Sequence, residues 1–422
     1  MLSPVPIVQG KGSLLFDDKG RGYIDAISSW WVNIHGHAHP YIAEKIYEQA
    51  LKLEHVIFTG FTHEPAVLLA ERLLKILPGE FSRIFYSDNG STAVEAAIKM
   101  AIQYWRIQET ATSQSRHAPP GINPGIAAPH SKPRNKILAF RHSYHGDTFG
   151  AMSVSDRSVF TAAFRDYLFE VVFIDTPTAD NYLEIIEQVR QEAGQIACFI
   201  YEPLLQAAGG MRIYEAEFLD KLLEAVRSDG ILCIADEVLT GFGRTGRLFA
   251  SEYLQNKSDI ICLSKGLTGG TMALGVTACS QRIFDAFLSD DKMNTFFHGH
   301  SFTANPLSCS AALASLDLLE APACRQRIGD ISGKHREFAG RIGKHPAVRN
   351  ARSIGTLIAF EISTGRDEYM NGISADVTTE SMQNGIYLRP LGNTVYIMPP
   401  YCISNPELDK IYEFLIRYVS SF

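Results

Sequence analysis

Residues 231–266 read ILCIADEVLTGFGRTGRLFASEYLQNKSDIICLSKG, and the fold follows from how its two apolar runs end. The runs are 231–235 (ILCIA) and 260–263 (IICL). Both are too short for helices and rich in β-branched residues. Their apolarity is continuous rather than alternating, which points to strands buried on both faces of a mainly parallel sheet. Each run stops at polar chemistry: Asp236-Glu237 after the first, Ser264-Lys265-Gly266 after the second. In an open α/β sheet, ligands sit beyond the carboxyl ends of the strands. An acid and a lysine at two such ends are therefore candidate site residues.

Similar runs occur at 84–87 (IFYS), 137–140 (ILAF), 171–175 (VVFID) and 196–201 (IACFIY). Helical patterns lie between them. In 92–105 the apolar positions 94, 97, 98, 101, 102 and 105 form one helical face. This alternation predicts an α/β fold with a large, mainly parallel sheet. Beyond 308 the texture changes. Helical stretches at 308–320 and 328–342 lead to strand-like runs at 357–362, 386–388 and 395–398, then a helix over 407–419. We expect a small α+β domain over 308–422, joined by residues 1–28, and a large domain over 29–307. Residues 110–134, rich in Pro, Gly, Ser and Ala without periodicity, read as a surface loop.

The 422 residues carry 39 Lys+Arg against 46 Asp+Glu, a formal net charge of −7, and are 46% hydrophobic. This balance gives no footprint for nucleic acid, and the apolar share excludes a disordered chain. No apolar run approaches the roughly 20 residues that span a bilayer, and the start lacks the basic and apolar regions of a signal peptide. The seven cysteines are scattered, never C-x-x-C, and read as buried reduced thiols. The expectation is a cytoplasmic protein.

A third strand end completes the set. After 84–87 comes DNGSTAVEAAIK, in which Asn89-Gly90 gives a turn, Ser91 and Thr92 can cap a helix and Thr92-x-x-Glu95 fits a capping box. Such a helix start is also an anion site, although a capped helix needs no ligand. The pattern G-x-G-x-x-G at 241–246 does not directly follow its strand, so it does not read as a dinucleotide fingerprint. An anion cradle, a buried acid and a buried lysine together suit pyridoxal phosphate. That cofactor needs a phosphate site, a carboxylate for its ring nitrogen and a lysine for covalent attachment.

At this point the chain resembles the class III aminotransferases of fold-type I over nearly its whole length. The matching stretches are DNGSTAVEAAIKMA, RHSYHGDTFGAMSV, YEPLLQAAGGM, IADEVLTGFGRTG and LSKGLTGGTMALG. Within that family it is most similar to the adenosylmethionine–8-amino-7-oxononanoate branch. SSWW at 28–31, LTGGTM after Lys265, and Arg389-Pro390 followed by YIMPPY carry the closer likeness. The resemblance implies pyridoxal phosphate on Lys265, with Asp236 on the ring nitrogen and Gly90 and Ser91 on the phosphate. Tyr144 would stack near the ring and touch substrate, Trp30 would line the apolar pocket, and Arg389 would bind a substrate carboxylate. It also implies a homodimer with shared sites. Gly299 would line the substrate site, while His300 and Ser301 reach the phosphate of the neighbouring subunit's cofactor. Relatives have Pro-Thr where this chain has His300-Ser301. They also carry, ahead of the position matching Met1, a segment with a substrate-recognition tyrosine, so the start lies upstream or that role is absent or replaced. The implied substrates are 8-amino-7-oxononanoate and S-adenosylmethionine. Lysine as donor, or an ω-amino-acid or diamine transaminase, is the alternative.

Overall fold

The computed structural model describes residues 4–115, 133–363 and 372–422. A seven-stranded sheet forms its centre. Across it run Phe81–Ser87, Gly275–Ser280, Ile260–Leu263, Leu232–Asp236, Ile196–Tyr201, Lys136–Phe140 and Val172–Ile174. All neighbouring pairs are parallel except those made by Gly275–Ser280, which runs antiparallel to both its neighbours. The mainly parallel sheet is the one the apolar runs predict. The antiparallel strand, GVTACS, has no counterpart in the sequence reading. It is made mostly of small residues, and the chain returns through the sheet by the short glycine-rich turn after Lys265.

Continuous apolarity follows from cover on both faces. Along one strand, Leu232 and Ile234 pack in one core, while Cys233 and Ala235 pack in the other. The long helix Gly90–Ser115 supplies the first core with Ala93, Val94, Ala97, Ile98 and Ala101. It extends to Ser115, so the start of the expected 110–134 loop is helical, and residues 116–132 lie outside the described residues.

The helix start also differs from the capping box read at Thr92. The helix begins at Gly90, and Asn89 caps it: Thr92 N donates to Asn89 Oδ1 (3.1 Å), and Asn89 N donates to Thr92 Oγ1 (2.9 Å). Glu95 turns instead to the short helix Phe149–Val154. Its Oε1 accepts from Thr148 Oγ1 (2.5 Å), Gly150 N (2.7 Å) and Ala151 N (3.1 Å). An acid at a helix N-terminus satisfies amides that the helix leaves free.

The first strands, Ile7–Lys11, Leu14–Asp17 and Gly22–Asp25, form a separate sheet with Ile386–Tyr387 from near the other end of the chain. A three-stranded sheet, Val348–Ile354, Leu357–Ile362 and Thr394–Ile397, packs with helices Pro322–Ile342 and Asn405–Val419. All seven cysteines are free. Five are buried, but Cys402 is exposed and Cys324 half-buried, against the reading that all lie inside. Among the described residues no single helix is long and apolar enough to cross a membrane.

Glu95 links the cradle helix to the segment that carries Tyr144 and His145. Glu95→Ala should lower unfolding free energy by about 1–3 kcal/mol, the cost of stranding hydrogen-bonded donors. Urea unfolding of the cofactor-free protein measures it, and an unchanged midpoint would show that these bonds add nothing.

Candidate active site

A cavity of about 640 Å³ opens at the carboxyl ends of the central strands. Gly90, Ser91, Tyr144, Asp236 and Lys265, singled out from sequence, all line it, with His145, Gly146 and Glu202. The sheet converges them. Strands ending at Ser87, Phe140, Tyr201, Asp236 and Leu263 deliver their following residues to one edge.

One side is built as an anion cradle. Gly90 and Ser91 are the first two residues of the 26-residue helix, whose N-terminus carries free amides and a positive dipole end. A Cβ on Gly90 would lie 2.7 Å from Val238 Cγ1. At Gly146, where φ is 131°, a Cβ would lie 2.2 Å from Ser91 Oγ. Only glycine leaves the Ser91 hydroxyl free to approach at that position. Asp147 N donates to the same oxygen at 3.3 Å.

The opposite side is carboxylate and lysine. Asp236 is 5% exposed; its Oδ2 lies 2.7 Å from His145 Nδ1, and its Oδ1 accepts from Val238 N at 3.0 Å. His145 is buried, and its Nε2 has no hydrogen-bond partner among the described residues. Glu202, also buried, accepts from the amides of Tyr144 and Ala207, both at 3.2 Å. Burial, reinforced by the Asp236 carboxylate, pushes Glu202 up to about 7, with His145 and the two amides opposing. Lys265 has φ of 45°, in the left-handed region that a non-glycine residue enters only at a cost of about 1–3 kcal/mol. Burial lowers the pKa of its amine, against the opposing pull of Asp236 and Glu202. Its Nζ lies 5.0 Å from the centre of the Trp31 ring.

A second cavity, of about 740 Å³, shares Trp31, Tyr144 and Asp147 with the first. Trp30 and Arg389 line it, with Tyr387, Pro390 and Tyr396. The tryptophans divide their work. Trp31 is core, 5% exposed, and its Nε1 donates to Tyr396 Oη at 2.9 Å. Trp30 is 59% exposed and stacks on Arg389, whose Cζ lies 4.2 Å from the ring centre. Arg389 is itself exposed, so burial does not force an anion upon it as its apolar flanks suggest. Among the described residues no carboxylate forms an ion pair with it. Tyr144 stands between the cavities; its hydroxyl donates to Asp147 Oδ2 at 2.8 Å, and burial raises its pKa.

Gly299, His300 and Ser301 are not brought to Lys265 within this chain. They line a third cavity, of about 670 Å³, with Ile57, Phe58 and Tyr86. His300 Nδ1 lies 3.6 Å from Asp88 Oδ2, and its Nε2 lies 3.0 Å from His298 Nε2. The 241–246 glycines form turns rather than opening a helix. Arg244, between them, is buried and donates to Pro399 O (2.9 Å) and Trp31 O (3.2 Å).

The class III aminotransferase family model matches residues 2–419. The chain belongs to the class III aminotransferases. The adenosylmethionine-8-amino-7-oxononanoate aminotransferase of Synechococcus elongatus is 46% identical, with 97% of this chain and 93% of the relative covered. The crystal structure of the enzyme of that name from Methanocaldococcus jannaschii aligns with a TM-score of 0.89 at 32% identity, over 99% of this chain and 94% of the other. A pyridoxal-phosphate-bound amine transaminase from an uncultivated Pseudomonas species aligns with a TM-score of 0.87 at 29% identity, over 99% and 95%. Pyridoxal phosphate is the group bound in that Pseudomonas transaminase. The first cavity fits that cofactor: its volume is ample, Gly90 and Gly146 keep the cradle open, and a buried carboxylate faces the same space as the lysine.

Sequence reasoning missed His145 and Glu202 although both fall within quoted motifs. Each follows a buried strand closely, and the strand-end logic that found Asp236 extends to them. Glu202 gives this aminotransferase a pH signature. In the unfolded chain Glu202 ionises near 4.5, in the folded chain near 7. Its stabilising contribution is full below about 4.5 and is lost as pH rises through about 7. Between pH 5 and 7 the cofactor-free wild type should lose stability relative to Glu202→Gln by about 1 kcal/mol per pH unit. Denaturant unfolding at both values measures it. Parallel pH dependence would show that Glu202 is ionised in the fold.

Proposed function

We propose that this aminotransferase moves the amino group of S-adenosylmethionine to 8-amino-7-oxononanoate, giving 7,8-diaminononanoate for biotin biosynthesis. The observation that carries the reading is the pair of cavities joined at Trp31, Tyr144 and Asp147. One presents the lysine and carboxylate. The other offers an aromatic wall and an arginine that no carboxylate among the described residues pairs with, which suits a long apolar chain ending in a carboxylate. The names of the relatives from Synechococcus and Methanocaldococcus support the same substrates.

Pyridoxal phosphate, when bound, supplies a ring that withdraws electrons from the carbon bearing the transferred nitrogen. The chain's own residues do the rest. Lys265 is the covalent attachment point, and its lowered amine pKa suits it to carry the proton between the donor carbon and the cofactor. Asp236 would pair with the ring nitrogen and keep that atom protonated, with His145 fixing the carboxylate. Gly90 and Ser91 would hold the phosphate with amides and a hydroxyl. Tyr144 would cover the ring and touch substrate. Trp30 packs on the acceptor's chain, and Arg389 takes its carboxylate.

The active form is a homodimer in the cytoplasm. The 299–301 loop lies off its own cavity, and Ile57, Phe61, Phe297 and Phe302 leave large apolar side chains exposed around it. In the dimer, Gly299 lines the substrate site, and His300 and Ser301 reach the partner's cofactor phosphate. Residues 1–28 and 308–422 form the small domain and 29–307 the large one, a division supported by the pairing of Gly22–Asp25 with Ile386–Tyr387.

Steady-state kinetics of Arg389→Ala test the reading. Loss of one charged hydrogen-bonding group at an exposed position should raise acceptor KM by about 10- to 100-fold. S-adenosylmethionine kinetics should change less. Wild type should discriminate against the acceptor's methyl ester and the variant should not. Equal discrimination would show that Arg389 does not read the carboxylate, and failure of wild type to aminate the oxo-acid would overturn the substrate assignment.

A further inference from the structure

Asp25 belongs to no motif and lines none of the three cavities described above, yet it is completely buried. A buried carboxylate is costly unless hydrogen bonds compensate it. Its donors come from the tryptophan segment. Asp25 Oδ1 accepts from Ile27 N at 3.2 Å. Its Oδ2 accepts from Ser29 Oγ and faces His37 Nε2, both at 2.9 Å. Asn33 Nδ2 lies 3.3 Å from His37 Nδ1 and 3.4 Å from Ser29 Oγ, which closes the network. The His37 backbone is pinned separately, by paired bonds with Gly12 of 3.2 and 2.7 Å. Gly10 permits that approach, since a Cβ there would lie 2.5 Å from His37 Cβ.

The segment held this way is one the chain would not adopt freely. Ser28, Ser29 and Trp31 have φ of 53°, 60° and 68°, three left-handed non-glycine residues in four positions. Such a backbone persists only where its surroundings over-determine it. What it carries is the span between the two ends of the site. The Trp31 ring lies 5.0 Å from Lys265 Nζ, and the Trp30 ring lies 4.2 Å from Arg389 Cζ.

We propose that Asp25 and His37 are positioning residues that clamp the tryptophan segment and thereby set the distance between the reacting centre and Arg389, making the site selective for acceptor chain length. The inference rests on the assignment of that second cavity to the acceptor. A fixed span fits one chain length. A loosened span accepts neighbours one methylene shorter or longer, because the carboxylate and the reacting carbon no longer need to match a rigid separation.

The test uses the holoenzyme and Asp25→Asn, His37→Ala, His37→Gln and Asn33→Ala. Asn33→Ala removes the amide that closes the network and keeps the test open if Asp25→Asn fails to fold. Two quantities are read: kcat/KM for homologous oxo-acids differing by one methylene, and amide hydrogen exchange over residues 28–33 without substrate. Variants should exchange faster over 28–33 and lose about tenfold of the chain-length preference. The single-turnover rate with the amino donor should stay within about twofold, and His37→Gln, which restores a donor to Asp25, should recover most of the preference. Unchanged exchange, or faster exchange with the preference intact, would overturn the clamp. Equal loss on all acceptors and on the donor would also overturn it, as general destabilisation. If the wild type aminates no oxo-acid of this series, the substrate reading fails, while the exchange data still decide whether Asp25 and His37 hold the segment.

Discussion

A carboxylate at the end of a strand buried on both faces is the constraint on which the site depends. Asp236 is only 5% exposed, so most of its charge has to be met by protein or by a bound cation. His145 meets one oxygen at 2.7 Å and the Val238 amide the other at 3.0 Å. To bring His145 there, the chain after Phe140 must fold back over the strand ends. Glu95 secures the next turn of that segment through Thr148, Gly150 and Ala151. The same fold-back sets Gly146 against Ser91 and so shapes the helix start proposed to hold the phosphate. One buried acid thus fixes the relation between the two halves of the cofactor cavity.

The strands were legible because burial on both faces leaves a mark that needs no tertiary information: runs such as IACFIY and ILCIA without a polar residue. The site was legible for the complementary reason, since Asp236 and Lys265 interrupt those runs. What stayed hidden depends on partners distant in sequence. Glu95 looks like the acid of a capping box, and only the fold shows it bonded to residues more than fifty positions on. Gly275–Ser280 is small and apolar enough for several roles, and its antiparallel direction comes from a turn, not from composition. Arg389 sits between apolar neighbours, yet its side chain emerges onto Trp30, which local pattern does not encode. Histidine and glutamate are common surface residues, and the significance of His145 and Glu202 is the depth at which they lie.

The substrate end of the site is assembled from both ends of the chain. Trp30 and Trp31 follow the strand Gly22–Asp25, which pairs with Ile386–Tyr387, two residues before Arg389. Tyr396, on Thr394–Ile397, receives the Trp31 indole proton. Arg244 binds the Trp31 carbonyl from the turn after Asp236. On the proposed reading, cofactor chemistry is anchored in the large sheet and acceptor recognition in the smaller sheets, with Trp31 and Tyr144 at the seam. Substrate range in such an arrangement can change through the smaller sheets without disturbing Asp236 or Lys265.

The central claim is that the cavity at the sheet's carboxyl edge holds pyridoxal phosphate on Lys265. Borohydride reduction of the purified holoenzyme, followed by digestion and mass spectrometry, tests it most directly. One modified peptide is expected, with the cofactor's mass added at Lys265. Modification at any other lysine, with Lys265 untouched, would contradict it.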